Sequence, residues 1–384
     1  MIRREVESEL KRLAKQFKAV AVVGPRQSGK TTLTRYIFKN KPYANLENPD
    51  IRRFALDDPR GFLSQYGSGA VIDEAQRAPE LFSYLQQELD ESGRKGRFIL
   101  TGSNNFLLQE TISQSLAGRI AYLYLLPFTL TELSTGRDTE LAGRIIKGSY
   151  PPVYDQKIDP RKWYPNYIRT YVERDVRQIK NISDLNTFER FVRLCAGRSG
   201  QLLNLSSLAL EAGIDSKTAG AWISVLESSF IIFRLFPWHR NFNKRIVKMP
   251  KLYFYDTGLV CSLLGIANSN QLNMHPLYGS IFENLIMSEL KKHCLNRSLN
   301  EDIFFWRDNV GHEVDVIIES NDGFIPVEIK SGKTITDEFF KGLNYWEKLS
   351  GIQSGVVVYG GEDDQNYSDG RKAISWRKLH MLFK

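Results

Sequence analysis

The apolar run Ala19-Val20-Ala21-Val22-Val23 passes directly into Gly24-Pro25-Arg26-Gln27-Ser28-Gly29-Lys30-Thr31-Thr32, and no other stretch of the 384 residues restricts the fold so tightly. A short β-branched run of this kind reads as a buried strand, and Gly24 and Gly29 allow the chain to reverse tightly from that strand into a helix. Backbone N–H groups gathered at a helix N-terminus attract phosphate. Lys30 is placed to neutralise the outer phosphates and the Thr31 hydroxyl to ligate magnesium, so residues 24–32 are expected to bind a nucleoside triphosphate.

A second pattern supports the first. Gly69-Ala70-Val71-Ile72-Asp73-Glu74 is a short apolar strand that ends in two adjacent carboxylates. Asp73 is expected to hold magnesium together with Thr31, and Glu74 to orient and deprotonate an attacking water. A third apolar strand, Arg97-Phe98-Ile99-Leu100-Thr101, leads into Gly102-Ser103-Asn104-Asn105, where Ser103 or Asn104 would reach the γ-phosphate or the water.

The order of patterns sets the fold class. A leading helix over Glu5 to Lys18 carries Val6, Leu10, Leu13 and Phe17 along one side. Strands are expected at 19–23, 43–47, 69–73, 97–101 and 120–126, with helices at 29–39, 79–91 and 105–115. This alternation predicts an α/β fold whose parallel sheet is covered on both faces, with the nucleotide at the carboxyl ends of the strands. Leu46 to Asp50 reads as a plain turn or a polar contact. Arg119, in Leu116-Ala117-Gly118-Arg119, would neutralise transition-state charge in its own subunit or in a neighbouring one, the latter implying a homo-oligomer.

Bulk properties narrow the class further. No apolar run reaches the roughly 20 residues that a membrane helix needs, and the charged N-terminus lacks the apolar core of a secretion signal, so a cytoplasmic protein is expected. Cys195, Cys261 and Cys294 are widely separated and indicate neither a disulfide framework nor a zinc site. The net charge of +8 is concentrated between Arg161 and Lys251, where 16 Lys and Arg stand against 7 Asp and Glu. A surface that binds the phosphate backbone of DNA has this distribution, and so does a set of solvated helix faces.

A break at Gly148-Ser149-Tyr150-Pro151-Pro152 closes a first domain at residues 1–150. Tyr164 to Lys180 reads as a basic aromatic helix. Ser206 to Glu227 reads as helix, glycine turn and helix, followed by strand patterns at Phe230 to Phe236 and Lys251 to Tyr255; a winged helix-turn-helix is expected over residues 160–265. Residues 270–384 carry different chemistry. Glu283 lies on an apolar-spaced helix, Asp315 in Glu313-Val314-Asp315-Val316, and Glu328 and Lys330 in Pro326-Val327-Glu328-Ile329-Lys330. On a hairpin, Asp315 and Glu328 would face each other and hold magnesium, with Glu283 adding a third carboxylate and Lys330 positioning a water, as in a restriction-type nuclease core.

Together, Gly-Pro-Arg-Gln-Ser-Gly-Lys-Thr, Val-Ile-Asp-Glu-Ala-Gln, Leu-Thr-Gly-Ser-Asn, Leu-Ala-Gly-Arg, Tyr-Val-Glu-Arg-Asp-Val, Lys-Leu-Tyr-Phe-Tyr-Asp-Thr-Gly-Leu and Glu-Val-Asp-Val resemble one prokaryotic family across nearly the whole chain. It is that of AAA-type P-loop ATPases whose second half is a domain of unknown function ending in a nuclease-like fold. The resemblance implies ATP as the nucleotide and the usual roles for Lys30, Thr31, Asp73 and Glu74. No second-arginine sensor motif of the hexameric unfoldases is present. Two expectations follow: an ATPase acting on or with DNA, or an ATP-switched protein-interaction module without nucleic-acid catalysis.

Overall fold

The computed structural model of the chain describes residues 2–103, 116–134, 140–171, 184–238, 247–299, 302–320, 323–352 and 355–383. The expected helix at 105–115, Asn104 and the second half of the expected helix at 164–180 lie outside these residues.

Strands β1 (Ala19–Val23), β2 (Tyr43–Asn45), β3 (Ala70–Asp73), β4 (Phe98–Gly102) and β5 (Ile120–Tyr124) form one sheet in the order β2-β3-β4-β1-β5. Every pairing in it is parallel. The period of two splits β1 between two cores. Val20 and Val22 pack with Leu10 and Leu13 of the leading helix Glu7–Gln16 and with Val6 at its N-cap, while Ala19, Ala21 and Val23 face the core on the other side. Leu10 is fully buried there, and truncating it to alanine would cost about 2–5 kcal/mol. Because β4 lies between β1 and β3, the phosphate loop and the acidic pair are held one strand apart, with the end of β4 between them.

Two expectations need correction. β2 ends at Asn45 rather than at 47, because Asn48 caps a new helix, Pro49–Asp57, by accepting hydrogen bonds from the Asp50 and Ile51 amides. Pro151 and Pro152 do not mark an exposed break. They begin the buried helix Pro151–Asp155, which suits prolines because the first turn of a helix has no use for their missing N–H groups.

The middle of the chain contains the helices Pro160–Tyr171, Leu185–Ala196, Leu205–Ala212 and Ser216–Ser228. Asp184, Asn204 and Asp215 cap the last three, and left-handed Gly213 ends the third. The antiparallel pair β6 (Ile232–Leu235) and β7 (Lys251–Phe254) follows. Trp163, Tyr164, Tyr167 and Tyr171 are buried, so the aromatic residues of the first helix are core. Last come the long helix Tyr278–Asn296 and a six-stranded sheet of order β12-β13-β11-β10-β9-β8, where β8 is Ile303–Arg307, β9 Glu313–Ser320, β10 Gly323–Lys330, β11 Val356–Tyr359, β12 Gln365–Asn366 and β13 Lys372–Ser375. Fully buried Asn284 ties the long helix to β7 by accepting from the Phe254 amide at 2.7 Å and donating to the Phe254 carbonyl at 2.9 Å. None of the described helices is long and apolar enough to cross a membrane.

Candidate functional site

The loop from Gly24 to Thr31 turns from the end of β1 into the helix Lys30–Ile37. Glycine is required at both turning points. A methyl group at position 24 would lie 2.1 Å from the Leu125 carbonyl oxygen, and Gly29 has the left-handed φ of 93° at the helix N-cap. Lys30 is buried, and its ammonium group donates to the Gly24 and Pro25 carbonyls at 2.9 and 2.8 Å.

The Thr31 hydroxyl donates to Asp73 Oδ2 at 2.8 Å, so the loop and the end of β3 meet at one point. Hard oxygen donors brought together in this way fit magnesium, with Thr31 and Asp73 as the residues that would hold it. Asp73 is braced on both sides. Tyr43 donates to Oδ2 at 2.6 Å, and Thr101 donates to Oδ1. Burial and then the Asp73 charge push the Tyr43 hydroxyl well above the ordinary tyrosine value, so it remains a donor at any working pH.

Glu74 has a left-handed backbone, φ 53° and ψ 45°, which for a residue with a side chain stores of order 1–3 kcal/mol and marks functional turns. Its amide hydrogen-bonds Thr101 Oγ1, and Oε2 accepts from Gln76 at 2.5 Å and Ser103 at 3.2 Å. The structure therefore brings Ser103 to the acidic pair.

Lys30, Thr31 and Glu74 border a cleft of about 580 Å³ that also includes Arg26, Gln27, Ser28 and Thr32. Pro151, Pro152, Asp155, Gln156, Tyr167, Thr170 and Tyr171 also line it, residues that the sequence placed at or beyond a domain break. Arg4 also borders it. No sequence pattern points to Arg4, because the hydrogen-bond partners of its side chain are 24 to 128 residues away. Thr101 was legible in principle, as the one polar residue ending an apolar strand that points at the loop.

Arg119 does not reach this cleft. Its carbonyl accepts from the amide of Ala19 at the start of β1, so it stands at the amino end of the sheet, opposite the phosphate loop. There its guanidinium makes two bonds to Asp90, at 2.5 and 2.9 Å. A role for Arg119 at its own nucleotide site is excluded by this placement.

The carboxyl-terminal acidic residues are arranged differently from expectation. The register Val316↔Val327 brings Asp315 beside Glu328. Lys330 bridges them, pairing with Glu328 and lying 3.4 Å from Asp315, which also accepts from the Ile329 amide at 2.8 Å. Glu283 does not join them as a third ligand. It is held by Lys251 at 2.9 Å and Tyr253 at 2.5 Å, and the same ammonium group pairs with Glu313. Among the described residues no three acidic, histidine or cysteine side chains are arranged to hold a metal ion. Burial would pull the Lys251 ammonium toward neutrality, but Glu283, Tyr253 and Glu313 outweigh it and hold the lysine well above its ordinary value. Burial and the neighbouring Asp315 charge raise Glu328, whereas Asp315 is lowered because Lys330 and Lys251 outweigh its burial. Two internal lysines, one from β7 and one from β10, thus supply the charge that a metal would otherwise supply, and the residues do not fit the expected magnesium site.

The basic middle segment is also partly neutralised. Arg161 pairs with Asp159, Arg193 with Glu189, Arg198 with Glu211 and Arg234 with Glu227.

Three family models match successive parts of the chain. Residues 16–134 match the AAA domain family, and residues 138–270 and 278–379 match two families described as domains of unknown function, DUF8612 and DUF4143. The chain is 32% identical over 379 residues to an uncharacterized protein of Mycobacterium bovis and to one of Mycobacterium tuberculosis, which covers 97% of this chain and 83% of each relative. Among solved structures, the Walker-type ATPase of Pyrococcus abyssi aligns with TM-score 0.47 and 13% identity over 69% of this chain and 96% of its own. A Thermotoga maritima RuvB aligns with TM-score 0.32 and 16% identity over 60% and 88%.

Proposed function

The chain belongs to the family of those two mycobacterial proteins, with an AAA domain at residues 16–134, and from that premise we propose that it is a magnesium-dependent ATPase whose turnover is coupled to an event on DNA. The observation that carries the ATPase reading is the 2.8 Å contact of Asp73 with Thr31, which borders one cleft together with Lys30 and Glu74. Magnesium, when bound, would offset charge on the outer phosphates. The loop amides and Lys30 bind and orient the triphosphate. Glu74, aimed by Gln76 and Ser103, accepts a proton from a water whose oxygen attacks the γ-phosphorus. The bond to the β–γ bridging oxygen breaks, and ADP leaves with the electron pair.

The coupling has a structural path. Tyr167 and Thr170, which border the cleft, belong to the helix that begins the middle segment, so closure on nucleotide would move that segment. The capped helices at 205–212 and 216–228 followed by the β6–β7 pair support the winged-helix reading of that segment, and its basic residues support DNA as the partner. Arg119, turned away from its own cleft, suits a role in trans against a neighbouring copy. No cleavage step is assigned to Asp315, Glu328 and Lys330, since lysines neutralise that cluster.

One observation favours the second reading, an ATP-switched protein-interaction module. Trp222 of the helix 216–228 is buried against Phe188 and Phe191, which leaves Lys217 as the only cation on that helix. ATP turnover with and without duplex and single-stranded DNA separates the two. Stimulation that fades as salt rises supports coupling to DNA, and indifference to every DNA form removes it.

A further inference from the structure

We infer that Arg4 is a positioning residue of the phosphate loop, so that the segment preceding the AAA match at residues 16–134 is part of the nucleotide site. The inference rests on the ATPase reading above and adds a residue to its machinery.

Arg4 is only 6% exposed, yet it borders the nucleotide cleft. Each nitrogen of its guanidinium has a different partner. Nη1 donates to the Ser28 carbonyl at 2.8 Å, Nη2 to the Leu126 carbonyl at 2.6 Å, and Nε to Glu132 at 3.1 Å, in an ion pair whose two side chains are 5% and 1% exposed. The guanidinium also lies over the Phe128 ring, 4.7 Å from its centre. Glu132 is fixed in turn. Its carboxylate accepts from the amides of Glu5 at 2.7 Å and Thr129 at 2.9 Å.

The bond to Ser28 carries the consequence. The carbonyl of Ser28 and the amide of Gly29 belong to one planar trans peptide unit, so they point in opposite directions. Anchoring the carbonyl on Arg4 directs the Gly29 N–H the other way, toward the phosphates. Glycine at position 29, with its φ of 93°, offers little resistance to a flip of that unit. Arg4 restrains this peptide unit from outside the loop. A planar fork is needed, because a single ammonium cannot reach the Ser28 and Leu126 carbonyls and Glu132 in the same geometry.

The test compares wild type, Arg4→Lys and Arg4→Gln by titration with a fluorescent ATP analogue in the presence of magnesium, alongside thermal melting and ATP turnover. Arg4→Lys keeps a cation for Glu132 and is expected to fold. It should bind about tenfold more weakly and raise KM to match, with kcat at saturating ATP within about twofold of wild type. A folded Arg4→Lys with wild-type Kd and KM overturns the inference, as does a loss confined to kcat. If wild type itself fails to bind the analogue, the ATPase reading falls as well, which distinguishes the two failures.

Discussion

Lys251 is the residue whose removal probes the carboxyl-terminal cluster most sharply. It is 3% exposed, and its ammonium group serves both Glu283 and Glu313. Removing one partner of a buried ion pair costs about 3–5 kcal/mol, because the remaining charge is left desolvated. Here both carboxylates keep a neutral or cationic partner, Glu283 the Tyr253 hydroxyl at 2.5 Å and Glu313 the Arg307 guanidinium at 3.0 Å. The expected loss in Lys251→Met is therefore at the lower end, about 3 kcal/mol, or a fall in Tm of roughly 6–12 °C for a cooperative unit of about 200 residues. The pH dependence has a definite sign. Without the lysine, the buried Glu283 carboxyl would titrate at a higher pH, and a carboxyl whose folded pKa is raised contributes stability that is lost as pH rises through that value. The gap between variant and wild type should thus be smaller at about pH 5 than at about pH 8, and Glu283→Gln in the Lys251→Met background should recover part of it. Urea unfolding at both pH values provides the measurement. A gap below about 1 kcal/mol that does not change with pH, with no coupling to Glu283, would refute the claim that these groups form one buried charge cluster.

Three further outcomes are expected. Gly24→Ala should abolish nucleotide binding and destabilise the chain by about 1–3 kcal/mol, because its methyl group would meet the Leu125 backbone; wild-type affinity in a binding titration would refute this. His293, pushed down to about 4 by burial and by Arg297 and His380, is disfavoured as a cation in the fold, so its contribution is present above the ordinary histidine pKa and declines as pH falls from about 6.5 to 4. Solvent screening at this half-buried ring limits that contribution to about 1–2 kcal/mol, and His293→Gln should flatten the corresponding limb of the stability profile. Arg119→Ala should bind ATP normally and lose turnover, and that loss should be relieved by mixing with Glu74→Gln if Arg119 acts in trans; no recovery at any mixing ratio counts against such a role.

The phosphate loop and the acidic pair were legible because their chemistry demands fixed residue types at short spacing on a strand–loop–helix frame. The strand pairs of the carboxyl-terminal half were legible in outline for the same local reason, since the period-two pattern places Asp315 and Glu328 on adjoining strands. What the sequence concealed depends on distant contacts. Arg4 reads as an ordinary cation before an amphipathic helix, and only the fold brings it to Ser28 and Glu132. Lys251 adds to a basic count that suggested DNA, yet it is consumed inside an acidic cluster contributed by another part of the chain. Pro151-Pro152 has the composition of a linker, and burial turned it into a helix start and a wall of the cleft. Arg119 shows the converse limit, because its position in sequence did not reveal which end of the sheet it would occupy.

Magnesium-dependent phosphate release by wild type and Glu74→Gln, with nucleotide affinity measured in parallel, decides whether Thr31, Asp73, Lys30 and Glu74 form an ATP-hydrolysing site. Turnover in wild type, a fall of about 10²–10⁴-fold in Glu74→Gln and near-equal affinity for ATP are expected. Equal turnover in the two proteins, or a Glu74→Gln defect confined to binding, would contradict such a site.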